Sequence, residues 1–267
     1  MRFAFAPRAS TMAALLLCVV ARDNTAHAKG IMHVMGDRIA SAEGKLRLLE
    51  GLIAEVYCEK LGRDDATQTG AWCLREAGQY GGQPIAEAHY MDAGIGPLLG
   101  RVFHNHSVLD LGAGSGQYGL YFASADASIE YTGVDGALNV ERFTSGRVQW
   151  ADLSSPTAFP EGQHDFVMSL EVGEHLPPRF ESTFLANIDN NNVCGAALSW
   201  ATVGQMGHGH VNCRDNDYVI AKMRAMGYEY DAQISNSGRE SAEMEWFKST
   251  FMFFRRTSAQ HLERCKI

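Results

Sequence analysis

The sequence predicts an α/β protein: a doubly wound, mostly parallel seven-stranded sheet with an antiparallel edge pair, preceded by an N-terminal helical extension. Three observations predict it. The run Val108-Leu109-Asp110-Leu111 leads into Gly112-Ala113-Gly114-Ser115-Gly116 and then a helix-compatible segment. That order brings backbone against a nucleotide-like ligand at the carboxyl end of a first strand. From Ser107 onward, short apolar runs alternate with helical segments, the pattern of a parallel sheet. Two late apolar runs then lie close together with no long helical pattern between them, which implies an antiparallel pair at one edge.

The elements can be placed in order. The first strand is expected at Ser107–Leu111 and its helix at Gln117–Ala125. The second strand, Ile129–Val134, ends at Asp135, and a short third, Val148–Trp150, precedes Asp152. The fourth, Asp165–Leu170, ends at Glu171, and a helix at Phe180–Ile188 leads to the fifth, Val193–Trp200. A helix at Asp217–Met226 precedes the last two strands, Tyr228–Ile234 and Phe247–Phe254. Upstream, Leu46, Leu49, Leu52, Ile53, Val56 and Tyr57 recur at helical spacing. Gly81-Gly82 and Pro84 break that pattern before a second helical stretch, Ile85–Leu99. The chain therefore divides into 1–28, a helical extension over 29–82, and a sheet domain over 83–267.

Residues 1–28 have their own character. Arg2 and Arg8 precede the apolar run Met12–Val20, no acidic residue occurs before Asp23, and Ala26-His27-Ala28 gives a small-residue cleavage pattern. These are the marks of a secretory signal peptide. An ordinary N-terminal helix and an Arg-bearing organelle transit peptide are the alternatives. The apolar run is short for a bilayer span, and no other segment could cross one. Once residues 1–28 are removed, Cys58, Cys73, Cys194, Cys213 and Cys265 remain, without a C-x-x-C pair. In an oxidising compartment Cys58–Cys73 and Cys194–Cys213 are the expected bridges, with Cys265 left over; five reduced thiols are the other reading. Asn105-His106-Ser107 fits the glycosylation pattern.

Composition limits the function classes. With 46% hydrophobic and 20% charged residues, the chain can bury a core without help from a metal or disulfide. A net charge of -8 argues against tight binding to a phosphate backbone, which needs clustered Lys and Arg. A small-molecule or glycan partner fits better than nucleic acid. The sequence does not report oligomeric state.

From about Ile85 to Arg256 the chain resembles the class I S-adenosylmethionine (SAM)-dependent methyltransferases, a Rossmann-like family. The D-L-G-A-G-S-G turn resembles that family's first motif, Asp135 its acidic residue after strand two, Asp152 its polar residue against adenine, and S-L-E-V-G-E-H its segment after strand four. The resemblance implies a SAM site made by Asp110, Gly112, Ala113, Gly114, Gly116, Asp135, Asp152 and Leu153. Asp110 would accept from turn amides or the cofactor's ammonium group, Asp135 from two ribose hydroxyls, and Asp152 from the adenine amino group.

The acceptor should meet residues after strands four and five, because ligands in such sheets sit at the carboxyl ends. These are Glu171-Val172-Gly173-Glu174-His175 and Gly207-His208-Gly209-His210-Val211-Asn212. If Glu171 begins a helical turn, Glu174 and His175 share its face at i+3 and i+4. The E-x-x-E-H pattern resembles the metal-binding segment of ubiquinone-pathway O-methyltransferases and small-RNA 2′-O-methyltransferases. That resemblance implies Glu171, Glu174, His175 and a later histidine, His210 or His208, as catalytic residues and as ligands for a divalent cation such as Mg, Mn or Zn. Without a metal, His210 or His175 would act as general base. The expected activity is O-methylation of a hydroxyl. N- or S-methylation, a non-catalytic SAM-binding module, or a nucleotide-dependent oxidoreductase are the alternatives.

Overall fold

In the computed structural model, which describes residues 58, 68–74, 91–157, 163–259 and 261–267, the apolar runs form one sheet. Its strands are β1 (Ser107–Leu111), β2 (Glu130–Asp135), β3 (Val148–Trp150), β4 (His164–Ser169), β5 (Asn192–Leu198), β6 (Tyr228–Tyr230) and β7 (Met252–Arg256), in the order β3-β2-β1-β4-β5-β7-β6. The five strands from β3 to β5 pair in parallel, and β7 runs antiparallel to both β5 and β6. This is the doubly wound, mostly parallel sheet with an antiparallel edge that the sequence predicts.

Alternation along each strand divides the core between the two faces. Val108, Phe166, Met168 and Phe253 point to one face, where α1 (Ile95–Val102) and α2 (Gln117–Ala125) supply Ile95, Leu99 and Phe122. Leu109, Leu111, Val167, Ala196, Leu198 and Phe254 point to the other. There α4 (Glu181–Asn190) and α5 (Asn216–Ala225) supply Phe184, Ile188, Val219 and Met223. The short α3 (Val140–Phe143) leads into β3. Strand order reverses between β1 and β4, so their carboxyl ends open a crevice suited to a ligand.

Three expectations are corrected. The expected strand Tyr228–Ile234 stops at Tyr230, and α6 (Ala232–Ser241) follows. The Asp231 side chain accepts from the Ile234 N–H, an N-cap that starts a helix there. The expected strand Phe247–Phe254 divides into α7 (Phe247–Thr250) and β7. Of the helix expected over Ile85–Leu99, residues 85–90 lie outside the described residues and 91–94 are not helical; α1 starts at Ile95, where Asp92 Oδ1 accepts from the N–H groups of Gly94 and Ile95.

The disulfides are Cys58–Cys73 and Cys194–Cys265, with Cα atoms 5.5 and 5.1 Å apart. The second replaces the expected Cys194–Cys213 pair. Cys194 lies near the start of β5, where the C-terminal turn Glu263–Cys265 packs, whereas Cys213 follows the opposite end of that strand and is free. The signal-like segment 1–28, the periodic run Leu46–Tyr57 and the boundary at 82/83 lie outside the described residues. Among the described residues no helix is long and apolar enough to cross a membrane.

Candidate active site

A cleft of about 470 Å³ opens at the carboxyl ends of the strands and runs from the glycine-rich turn to the loops after β4 and β5. At one end it is lined by Asp110, Gly112, Ala113, Gly114, Asp135, Asp152 and Leu153. Gly116 does not line it; this residue closes the turn as the N-cap of α2. Gly112 has φ +87°, and a Cβ there would lie 2.4 Å from Val172 Cγ2. The glycine-rich turn therefore packs directly against the E-x-x-E-H turn, at a position only glycine fills without strain.

The acids of this end also build the turn. Asp135 Oδ2 accepts from the Gly114 N–H at 2.8 Å and Oδ1 from the Ala137 N–H at 2.8 Å. Asp152 accepts from the Ser154 N–H and hydroxyl at 2.9 and 2.6 Å and from the Ser155 hydroxyl at 3.1 Å. Buried Asp110 accepts from the Tyr131 hydroxyl at 2.7 Å. Burial pushes its carboxyl up to about 7; the Tyr131 hydrogen bond opposes this and the Asp135 charge adds to it.

The sign of the resulting pH effect is definite. Asp110 binds a proton more tightly in the folded state than in the unfolded chain, whose carboxyl titrates near 3.8. The ligand-free fold therefore loses stability at this site as pH rises from about 4 through about 7, and loses no more above that. We expect Asp110→Asn to gain thermal stability relative to wild type across that window. A Tm difference that stays flat from pH 4 to 7.5 would refute the assignment.

At the reactive end, the expected helical turn does not form. Glu171 sits at φ +56°, which ends any helix there, and the chain makes a single turn closed by His175 N–H to Val172 O at 3.0 Å. The turn nevertheless brings Glu174 and His175 together with His210: one ligand atom from each lies within 4.8 Å of the others. Glu171 lies outside this trio. It accepts from Gln205 Nε2 at 3.3 Å and Thr250 Oγ1 at 3.4 Å. His208 packs edge-on to Trp72.

Hydrogen bonds fix both histidines. His175 Nδ1 contacts Gly209 O at 3.3 Å, and His210 Nδ1 contacts Gln205 O at 3.1 Å. A carbonyl only accepts, so Nδ1 carries a proton in each ring, which leaves Nε2 as the atom that holds the lone pair of a neutral imidazole. Gly207 gives His210 its place, since a Cβ there would lie 2.1 Å from the ring's Nε2. The loop itself is stitched to the turn: the N–H groups of Val211 and Asn212 both donate to Glu174 O at 2.9 Å.

Glu174 is fully buried, and neither carboxyl oxygen has a hydrogen-bond partner; His175 Nε2 stands 4.0 Å from Oε1. Burial first, and then the Glu171 charge, hold its carboxyl well above the ordinary range. Burial also raises Glu171, with Ser199 opposing. Burial and the neighbouring His210 push His175 down to about 4, so its ring is neutral at physiological pH.

Some site residues were not found in the sequence. The segment Thr69–Leu74, assigned to the helical extension, is non-helical and lines the cleft, with the Trp72 ring 4.7 Å edge-on from His175. Asn139 holds it in place, pairing with both the N–H and the carbonyl of Leu74. Buried Asp92 pins the opposite loop: its Oδ2 accepts from the N–H groups of Glu243 and Met244 at 2.9 and 2.7 Å. Asp92→Ala leaves these amides and the start of α1 without acceptors. It should cost about 2–3 kcal/mol, seen as a lower midpoint in denaturant with an unchanged slope.

No protein-family model matches the chain, and no curated protein matches it. Among solved structures, it is similar to the pyocyanin biosynthetic protein PhzM (15% identity, TM-score 0.43), over 61% of this chain and 53% of that one. The match thus spans about half of PhzM. It is also similar to the magnesium protoporphyrin IX methyltransferase ChlM from Synechocystis with bound SAM (15% identity, TM-score 0.45, 61% of this chain and 76% of that). A third is the 1,6-didemethyltoxoflavin N1-methyltransferase from Burkholderia thailandensis (18% identity, TM-score 0.44, 64% and 82%).

Proposed function

We propose that this chain is a SAM-dependent methyltransferase that transfers a methyl group to a hydroxyl oxygen of a small-molecule or glycan acceptor. One observation carries the reading. A single cleft joins an acidic, glycine-rich turn at the ends of β1 and β2 to a carboxyl–imidazole cluster beyond β4 and β5. The first end suits a nucleoside with a charged tail, and the second suits removal of a proton from a hydroxyl.

The chain's own residues can perform the work. Asp135 and Asp110 orient the donor, with Asp135 toward the ribose and Asp110 toward the ammonium group. Gly112 allows donor and acceptor ends to approach closely, and alignment of the two reacting atoms supplies much of the rate. His175 or His210 takes the hydroxyl proton on Nε2, because Nδ1 is committed to a carbonyl in each ring.

The same trio suits a divalent cation. Glu174 offers a buried, unpartnered carboxyl, and the two imidazoles are held by carbonyls, as metal-bound histidines are. Glu174, His175 and His210 would hold the ion. Two nitrogen donors favour Zn or Mn over Mg. When bound, such an ion would lower the pKa of an acceptor hydroxyl.

Calorimetric titration with SAM, S-adenosylhomocysteine and NAD tests the core of this proposal, followed by methyl transfer from labelled SAM with and without chelator. Micromolar SAM binding with no NAD binding is expected; the reverse preference would sink it. The two disulfides, and exposed Asn105 in its glycosylation pattern, support a secretory address for the chain. Mapping the mature N-terminus in cells checks that address: a start at Lys29 in a luminal fraction is expected.

A further inference from the structure

We infer that the methyl acceptor is an uncharged, ring-bearing hydroxyl compound of the phenol type, seated against Trp72 and the Met244–Phe247 wall and carrying no anionic group. This deepens the methyltransferase proposal and rests on it. The first ground is the wall. Leu170, Met206, Met244, Trp246 and Phe247 line the cleft around Glu171 and Glu174, and Trp72 stands over His175. The apolar surface continues out of the mouth: Met206 is 93% exposed, Val203 beyond it 68%, and Trp246 36%. Flat rings gain most from such walls, by buried area and by offset or edge contact.

The second ground is charge. Among the described residues that line the cleft, none is Lys or Arg, whereas Asp110, Asp135, Asp152, Glu171 and Glu174 all do. Whatever their protonation, these acids supply no counter-charge. A carboxylate, sulfate or phosphate on the acceptor would be stripped of water without gaining a Lys or Arg partner, the rings of His175, His208 and His210 being the only basic side chains among the described lining residues. A divalent ion on the trio would answer the reacting oxygen and leave the walls beyond it uncharged.

The third ground separates a phenol from a polyol. Several hydroxyls would need several open hydrogen-bonding groups, and two polar side chains at this end, Gln205 and Glu171, already hold protein partners. Gln205 donates from Nε2 to Glu171, and its Oε1 accepts from the Thr202 N–H at 3.2 Å. Glu171 also takes the Thr250 hydroxyl, and both Nδ1 atoms go to carbonyls. The trio offers one place for a reacting hydroxyl, and beyond it the wall is mostly apolar with His208 as a further polar group, which favours a ring bearing few hydroxyls over a polyol.

The test uses the intact chain saturated with S-adenosylhomocysteine and four probes: 2-naphthol, 6-hydroxy-2-naphthoate, the methyl ester of that acid, and methyl glucoside. Calorimetry should show the naphthol and the ester binding at least about 10-fold tighter than the carboxylate and the glucoside. Trp246→Ala should weaken the naphthol about 5-fold or more while SAM affinity stays unchanged. Met206→Lys, at an exposed position, should narrow the gap between ester and carboxylate. Equal or tighter binding of the carboxylate or the glucoside overturns the inference, as does no binding of any probe. SAM titrated alone reads the underlying proposal. Without SAM binding both fall; with SAM binding and the wrong probe order, only the acceptor assignment falls.

Discussion

Glu174→Gln should lower kcat by about 10²–10⁴, the range expected when a group central to proton removal is lost, and leave the Kd for SAM within about twofold. The amide keeps the volume of the carboxyl, so no cavity forms. It cannot ionise, relay a proton or serve as a good cation ligand. The proposed donor site is at the other end of the cleft, among Asp110, Asp135 and the glycine-rich turn, whose side-chain hydrogen bonds run to Tyr131, Gly114 and Ala137. The effect should therefore appear in turnover and not in donor binding.

A second measurement on the same variant makes this prediction sharper. Glu174 is a fully buried carboxyl without a hydrogen-bond partner, beside a second acid. Such a group costs stability unless something binds it. Glu174→Gln should accordingly have a Tm equal to or above that of the wild type. A carboxyl kept only for structure would give the opposite pair of results: lower Tm and unchanged turnover. That outcome would remove Glu174 from both the cation-holding and the proton-transfer roles.

The contrast between Glu174 and Asp92 shows what the sequence could and could not disclose. Glu174 was legible because it stands in a short motif directly after a predicted strand, where sheet topology alone places the ligand. Asp92 was not. It acts through amides at Gly94, Ile95, Glu243 and Met244, and the last two are about 150 positions away in the chain. No local pattern marks a residue whose partners are backbone groups of a distant loop. Trp72 was missed for a related reason: a short segment held by Asn139 and a disulfide to Cys58 has no periodicity of its own. The sheet was legible because alternation is local to each strand. The late region was misread because Asp231, the cap that starts α6, falls on a polar position of the alternating stretch Tyr228–Ile234, which reads as one strand. Cys194 was given the wrong partner because sequence distance favoured Cys213, whereas the strand places that residue at its far end.

Asp135→Ala should weaken SAM binding by about 10²–10⁴, because two charge-assisted hydrogen bonds to ribose, at about 1.5–3 kcal/mol each, are lost together. The geometry adds a complication. Both Asp135 oxygens already accept from backbone, Oδ2 from Gly114 and Oδ1 from Ala137. Each carboxylate oxygen has a second lone pair for a ribose hydroxyl, so the residue can hold the turn and the ligand at once. The substitution therefore removes ligand contacts and also loosens the turn, which should cost about 1–2 kcal/mol of ligand-free stability. Ligands lacking one ribose hydroxyl separate the two effects. If Asp135 receives the diol, the wild type should bind a 2′- or 3′-deoxy analogue of S-adenosylhomocysteine markedly less well than the parent, whereas Asp135→Ala should hardly distinguish them. That is the non-additivity expected of two groups in direct contact. Equal losses in both proteins would mean that Asp135 only braces the Gly112–Gly114 turn and that the ribose is held elsewhere in the cleft.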